Sequence, residues 1–372
     1  IHADILKHES LNKNMFISNA LIDMYAKCGL LEKAAEIFEK LPMRNIVTWT
    51  ALISGYAKHG YGNAALICLE KMQEEGFSPN AITYVCSLKA CASIGALDKG
   101  KEIHMNIEKD GLVQQNIVVG NALIDMYAKC GSLTKAAEVF HVMPVRNIVT
   151  WSTIVAGYAQ HGFGEEALHY LEQMKLEGFS PNDATLASLF KVCGALEAYG
   201  KGREIHMMLR MLKNKNNKND DGCGADEDGL CHDDSEIGLC VGNALIGMYS
   251  RRGGSCEAAR VVFDGLVDRD VVSWTALIAG YTEHGSAEEA LICYKAMKSH
   301  HIAPNSVTFA CILKACSSLG DMQTGQEIHV DIVQEGYESD LTVGNSVVGM
   351  YVKCGSMVQA RDAFDELKVR DV

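Results

Sequence analysis

The chain repeats itself at a period of about one hundred residues, and this limits what it can fold into more than any other feature. Three phrases recur. NALIDMYAKCG stands at 19–29 and 121–131, and returns as NALIGMYSRRG at 243–253 and NSVVGMYVKCG at 345–355. WTALISGYAKHG at 49–60 returns as WSTIVAGYAQHG at 151–162 and WTALIAGYTEHG at 274–285. KACASIGALDKGKEIH at 89–104 returns as KVCGALEAYGKGREIH at 191–206 and KACSSLGDMQTGQEIH at 314–329. Successive copies lie 102, then 122 or 123, then 102 residues apart, so the middle interval holds an insertion. Length cannot count domains in such a chain. Its unit is a supersecondary element that buries a face only by stacking on its neighbours.

Each phrase opens a helical hairpin. Over 46–80, Trp49, Leu52, Ile53 and Tyr56 fall at i, i+3, i+4 and i+7, one face of a helix. His59-Gly60 stops that helix, because glycine adopts the left-handed cap at little cost. A second helix follows with Ala64, Ala65, Leu66, Leu69 and Met72 as its apolar set, and ends at Gly76 and Pro79. The small alanines let the two helices approach closely. The hairpins divide the chain at 15–45, 46–80, 81–116, 117–147, 148–182, 183–238, 239–270, 271–305, 306–340 and 341–371. Residues 1–14 read as the tail of a preceding hairpin, and 213–236 as an acidic insertion. The expected fold is all-α, a right-handed α-solenoid of stacked helix-turn-helix repeats forming one array over 1–372.

Composition narrows the functional classes. The chain is 48% hydrophobic and 22% charged, as globular proteins are, and no apolar run is long enough for a bilayer. The opening IHADILKHES has no signal-peptide character and reads as the middle of a helix, as expected of a fragment or a processed chain. None of the fourteen cysteines forms a CxxC pair. Cys28, Cys130 and Cys354 recur in KCG, and Cys91 and Cys316 in KAC, so they read as small buried helix residues in a reducing compartment. His104, His206 and His329 recur in EIH, and His59, His161 and His284 in HG. An active site is built once, whereas packing and capping positions recur, so these histidines read as structural. Trp49, Trp151 and Trp274 read as filling the hairpin interface. The stretch NKNNKNDDGCGADEDGLCHDDSE is poor in apolar residues and reads as a loop. Its Cys223, Cys231 and His232 match no standard zinc spacing. No histidine opens an H-x-E motif, so a zinc deaminase signature is missing. No catalytic residue, metal or cofactor is expected.

These phrases resemble the pentatricopeptide repeat family, in its plant organellar PLS subclass. VVSWTALIAGYTEHG with EEAL, MK and PN is similar to the P-type motif, SVTFACILKACSSLGDMQTGQEIH to the L-type, and VVGNALIDMYAKCGSLTKAAEVF with MPVRN to the S-type. The likeness covers the chain apart from 213–236. It implies single-stranded RNA binding, one base per P- or S-type repeat. The fifth and last residues of a repeat together select the base, and the second residue sandwiches it.

Carried onto this chain, the resemblance pairs Thr50 with Asn80, Ser152 with Asn182 and Thr275 with Asn305, each preferring adenine. Asn19 with Asn45 and Asn121 with Asn147 should prefer a pyrimidine, chiefly cytosine. Asn243 with Asp270 and Asn345 with Asp371 should prefer uracil. The sandwiching residues would be Phe16, Val47, Val118, Val149, Cys240, Val272 and Thr342, of which Phe16 and Cys240 depart from the usual valine or isoleucine. The L-type repeats hold Val85, Ala187 and Ala310 at the fifth position, which cannot hydrogen-bond a base through their side chains and should act as spacers. The implied target reads Y-A-n-Y-A-n-U-A-n-U. The implied setting is the mitochondrion or the chloroplast, where the chain would serve as a specificity factor in RNA editing or another processing step, with editing or processing proteins as further partners. The net charge of −13 runs against a generic nucleic-acid binder. Part of it falls in the insertion. It also supports the alternative, a protein–protein scaffold within an organellar assembly.

Overall fold

A computed structural model describes residues 15–216 and 237–366. Cys223, Cys231, His232 and Asp371 lie outside the described residues. The helices run in hairpin order: α1 (Met15–Lys27) with α2 (Leu31–Glu39), α3 (Ile46–Lys58) with α4 (Gly62–Glu74), and α5 (Ala81–Ile94) with α6 (Leu97–Lys109). The one-turn α7 (Leu112–Gln115) then leads to α8 (Ile117–Lys129) with α9 (Leu133–Val142) and α10 (Ile148–Gln160) with α11 (Gly164–Leu176). The series continues with α12 (Asp183–Ala195) and α13 (Tyr199–Asn216), α14 (Leu239–Tyr249) and α15 (Cys256–Gly265), and α16 (Val271–Glu283) and α17 (Ala287–Ser299). It ends with α18 (Ser306–Leu319) and α19 (Met322–Gln334), then α20 (Leu341–Lys353) and α21 (Met357–Glu366). There is no strand among the described residues. The contacts gather into two compact units, 1–182 and 183–372.

Helix boundaries follow from local chemistry. The Asn45 side chain accepts the Thr48 N–H while the Thr48 hydroxyl faces the Asn45 N–H, a capping box that starts α3. The same box starts α5 (Asn80, Thr83), α10 (Asn147, Thr150), α16 (Asp270, Ser273) and α18 (Asn305, Thr308). Each cap is worth about 1 kcal/mol. At the other end of α3, Gly60 has φ +83° and turns the chain into α4.

Within the first unit α1, α3, α5, α8 and α10 pack each on the next, and α2, α4 and α9 wedge against the following first helix. In the second unit α12, α14, α16, α18 and α20 pack in the same way. The first helices therefore form the closer-packed layer. The tryptophans are buried between helices, with Trp49 edge-on to Phe38 at 4.5 Å, Trp151 to Phe140 at 4.7 Å and Trp274 to Phe263 at 4.6 Å.

The recurring histidines tie hairpins together. His59 Nε2 lies 2.9 Å from the Ala26 carbonyl, and His161 and His284 repeat this with Ala128 and Arg251. His104, His206 and His329 each place Nδ1 near a tyrosine hydroxyl, of Tyr127, Tyr249 and Tyr351. The cysteines divide. Cys91 and Cys316 are fully buried, and burial pushes both thiols up to about 12. Cys130 and Cys354 are partly buried, while Cys28 is exposed, against the expectation of a buried residue.

Candidate nucleic-acid interface

The second residue of each first helix stands on the surface. Phe16 is 85% exposed, Val47, Val118, Val149 and Val272 are about half exposed, and Cys240 and Thr342 are exposed. The same place in the repeat is exposed in every first helix, whichever residue fills it. The L-type repeats continue the row with Ile82 and Val307, which sequence reasoning treated as spacer territory. Their signal was available: Ile82 and Val307 occupy the same place in the repeat as Val47.

Fifth and last residues are brought together through a third side chain. In the first unit the Thr150 hydroxyl lies 2.7 Å from Asn121 Oδ1 and 3.1 Å from Asn147 Oδ1, and Asn121 Nδ2 stands 3.5 Å from Asn147 Oδ1. In the second unit the Ser273 hydroxyl lies 2.6 Å from Asn243 Oδ1 and 3.0 Å from Asp270 Oδ1, and Asn243 Nδ2 donates to Asp270 Oδ1 at 3.1 Å. P-type repeats use hydroxyl to hydroxyl. Thr50 meets Thr83 at 2.8 Å and Thr83 donates to Asn80 Oδ1 at 3.0 Å. Thr275 meets Thr308 at 2.7 Å and Thr308 donates to Asn305 Oδ1 at 2.9 Å. Thr50 and Thr275 are only 8% exposed, so a group reaching them must enter between adjacent first helices.

Three sites differ. Thr48 turns its hydroxyl to the Asn45 carbonyl at 2.7 Å, which leaves Asn19 Oδ1 buried and unpartnered among the described residues, and Asn45 Nδ2 faces Met15 Sδ. Ser152 donates to the Ile148 carbonyl one turn back at 2.6 Å. Asn345 is exposed, and its pair Asp371 lies outside the described residues. In the L-type repeats Val85 and Ala310 are partly covered and Ala187 is buried. The helices that follow start on Asn116 and Asp340, which cap backbone N–H groups and meet no third-residue hydroxyl.

Electrostatics sort by layer. Lys58, Lys89, Lys314 and Lys353 are the only charged residues of α3, α5, α18 and α20, and all are exposed. Carboxylates gather instead on second helices, with Glu32, Glu36 and Glu39 on α2, Glu70 and Glu74 on α4, and Glu165, Glu166 and Glu172 on α11. The acidic balance of the chain is therefore not carried by the exposed row. Burial alone would raise the Asp270 carboxyl. Hydrogen bonds from the Ser273 N–H and hydroxyl, the Asn243 amide and the Val272 N–H outweigh it and hold the group below the usual carboxylate value. Between α18 and α20, Val307, Ala310, Cys311, Lys314, Thr342, Ser346 and Lys353 line an open groove of about 430 Å³. It combines aliphatic walls with two ammonium groups.

An arginine missed by sequence reasoning props up the last residue. Arg146 lies over the Phe140 ring at 4.7 Å, donates to the Phe140 carbonyl at 3.1 Å and pairs with Glu177. Arg269 lies over Phe263 and donates to its carbonyl at 2.9 Å, and Arg44 lies over Phe38 and pairs with Glu75. Each arginine immediately precedes the residue that ends the repeat, so it fixes the turn from which Asn45, Asn147 or Asp270 projects.

Comparison with known proteins bears on this geometry. A model described as the PPR repeat family matches residues 44–93, 146–195 and 269–318, and one described as the PPR repeat matches 16–46, 121–148 and 345–372. A chloroplastic pentatricopeptide repeat-containing protein of Arabidopsis thaliana is 33% identical over 359 residues, 96% of this chain and 54% of that protein. A mitochondrial one from the same plant is 32% identical over 376 residues, 100% of this chain and 50% of that protein. The chain thus spans about half the length of these curated relatives. The crystal structure of the pentatricopeptide repeat protein PPR10 from maize aligns with a TM-score of 0.51 at 20% identity, over 95% of this chain and 54% of that one, a likeness of fold. With its hairpins matched by the family models in both units, the chain belongs to the pentatricopeptide repeat family.

Proposed function

We propose that the chain binds single-stranded RNA in a sequence-specific way, with P- and S-type repeats of a PLS array each reading one base through their fifth and last residues. The observation that carries this reading is the contrast between two S-type sites built on one frame. At Asn121 and Asn147 both Oδ1 atoms face the Thr150 hydroxyl, and one Asn121 N–H faces Asn147 Oδ1, so what the pair has left to offer a base is amide N–H donors. Two donors suit the O2 and N3 acceptors of cytosine. At Asn243 and Asp270 the last residue is a carboxylate, so donor stands beside acceptor. That combination suits uracil, whose edge alternates carbonyl acceptors with the N3–H donor.

In P-type repeats the arrangement that bonds every hydroxyl proton runs from Thr50 to Thr83 to Asn80 Oδ1. It leaves an acceptor oxygen on Thr50 and the Asn80 amide as donor, which suits the N6–H and N1 of adenine. Val47, Val118, Val149 and Val272 supply apolar flanks for an unstacked base. The relatives named above are organellar proteins, which supports a role as a specificity factor in organellar RNA editing or another RNA-processing step.

Fluorescence anisotropy with 5′-CAUCAUUAUU-3′ and a scrambled oligomer of equal composition tests the reading. The matched oligomer should bind more tightly, with affinity that falls as salt rises. Equal binding of the two would sink base reading. No binding of either, with co-purifying protein instead, would favour the scaffold role that the acidic balance suggests.

A further inference from the structure

Nine junctions between successive repeats, from residue 15 onward, obey one rule. Where the fifth residue of a repeat is polar, the third residue of the next first helix carries a hydroxyl: Asn19 precedes Thr48, Thr50 precedes Thr83, Asn121 precedes Thr150, Ser152 precedes Thr185, Asn243 precedes Ser273 and Thr275 precedes Thr308. Where the fifth residue is apolar, the third is valine: Val85 precedes Val119, Ala187 precedes Val241 and Ala310 precedes Val343. Valine and threonine have nearly the same shape, so packing does not demand the choice. Helix initiation does not demand it either, because α8 and α20 start on Asn116 and Asp340 with Val119 and Val343 at the third place.

The use of the hydroxyl lies across the helix boundary. Thr150 is fully buried, and its Oγ1 contacts Oδ1 of both Asn121 and Asn147. A carboxamide is nearly symmetric in shape, and only its hydrogen-bond partners decide which end is oxygen. Take the hydroxyl away and Asn121 Oδ1 loses its donor. The amide can then turn over and offer an acceptor where it had offered a donor. Ser273 holds Asn243 in the same way, at 2.6 Å.

We infer that the third residue of the following repeat is a positioning residue for base selection, setting which hydrogen-bonding edge the fifth residue presents. The inference rests on the RNA reading proposed above. It adds a third, buried determinant to the sites of Thr50, Asn121, Asn243 and Thr275, whereas at Asn19 the Thr48 hydroxyl turns to the Asn45 carbonyl instead. It also accounts for the L-type repeats as sites lacking two determinants together.

The test uses the full chain and oligomers that differ only at the nucleotide facing repeat 117–147. Wild type should prefer cytosine there by on the order of tenfold, as expected of a paired base-edge contact. Thr150→Ser should keep that preference. Thr150→Val should reduce it to about threefold or less, while preferences at the nucleotides facing other repeats stay unchanged. A valine variant with the full preference overturns the inference while leaving the RNA reading intact. No preference in wild type overturns the RNA reading, and the inference with it. A converse pair guards against a folding artefact. Val85→Asn combined with Val119→Thr should create a preference at the nucleotide facing repeat 81–116, and Val85→Asn alone should not. Equal behaviour of the single and double variants would also overturn the inference.

Discussion

Gly55 of α3 sits directly against Ala26 of α1: a Cβ placed on Gly55 would lie 2.6 Å from the Ala26 Cβ. The same contact joins Gly157 to Ala128 and Gly280 to Ser250. These glycines set how closely successive first helices approach, and therefore the spacing of the exposed row. Gly55→Val should overpack this contact and cost about 1–3 kcal/mol, more than the gain in helix propensity returns. Urea unfolding should show a lower midpoint, and Ala26→Gly added to the same chain should recover part of the loss. An unchanged midpoint would mean that the helices are free to move apart.

The phase of the repeats was legible in the sequence because its punctuation is local. An asparagine cap three residues before a threonine and a His-Gly stop are each written in a few consecutive residues. Asn45, Asn80 and Asn147 stand both at the end of a repeat and at the start of the next helix. The structure shows the cap is real: Oδ1 accepts the Thr48, Thr83 or Thr150 N–H. A cap uses only the oxygen, so at Asn80 and Asn147 capping and base contact are compatible, whereas the Asn45 amide faces Met15 Sδ. What the sequence hid are relations across one repeat, such as Thr150 with Asn121, Gly55 with Ala26 and His59 with the Ala26 carbonyl. These depend on the distance between stacked hairpins, which periodicity inside a hairpin does not encode.

Asn147→Asp should convert one S-type site into the other. The substitution places a carboxylate where Asp270 stands in the second unit, beside an asparagine held by the same kind of hydroxyl. Preference at the facing nucleotide should move from cytosine towards uracil by about 1–3 kcal/mol, with little change in stability because aspartate caps a helix as well as asparagine does. A competition assay over four oligomers differing at that nucleotide reads the shift. An unaltered order of preference would count against hydrogen-bond polarity as the basis of selection.

Asp270 gives the site a defined acid limit. Its folded-state value lies below its unfolded one, so the stability it contributes is fully present above the unfolded value of about 3.9 and is lost as pH falls through the folded value. The difference in thermal midpoint between wild type and Asp270→Asn should therefore be constant from pH 7 to about 5 and should shrink only below about 4. Uracil preference at that repeat should persist over the same range. A gap that closes already between pH 7 and 6 would show that another group governs it.

The exposed aliphatic row separates holding the strand from reading it. Ile82 and Val307 of the L-type repeats are as exposed as Val47 and Val118, although Val85 and Ala310 beside them offer no side-chain hydrogen bond. If the second residue flanks the nucleotide whatever the repeat type, L-type repeats still grip the RNA. Ile82→Asp should then weaken binding of every oligomer by a similar factor, on the order of tenfold per lost apolar contact with a base, without altering preference at any position. Val118→Asp should weaken binding equally and also blunt the cytosine preference facing repeat 117–147. Because both side chains are more than half exposed, neither variant should shift unfolding by more than about 0.5 kcal/mol. Anisotropy titrations on the matched and scrambled oligomers, with a urea curve for each variant, give both quantities. If Ile82→Asp binds the matched oligomer as wild type does, the L-type repeats are true gaps and the strand passes over them untouched.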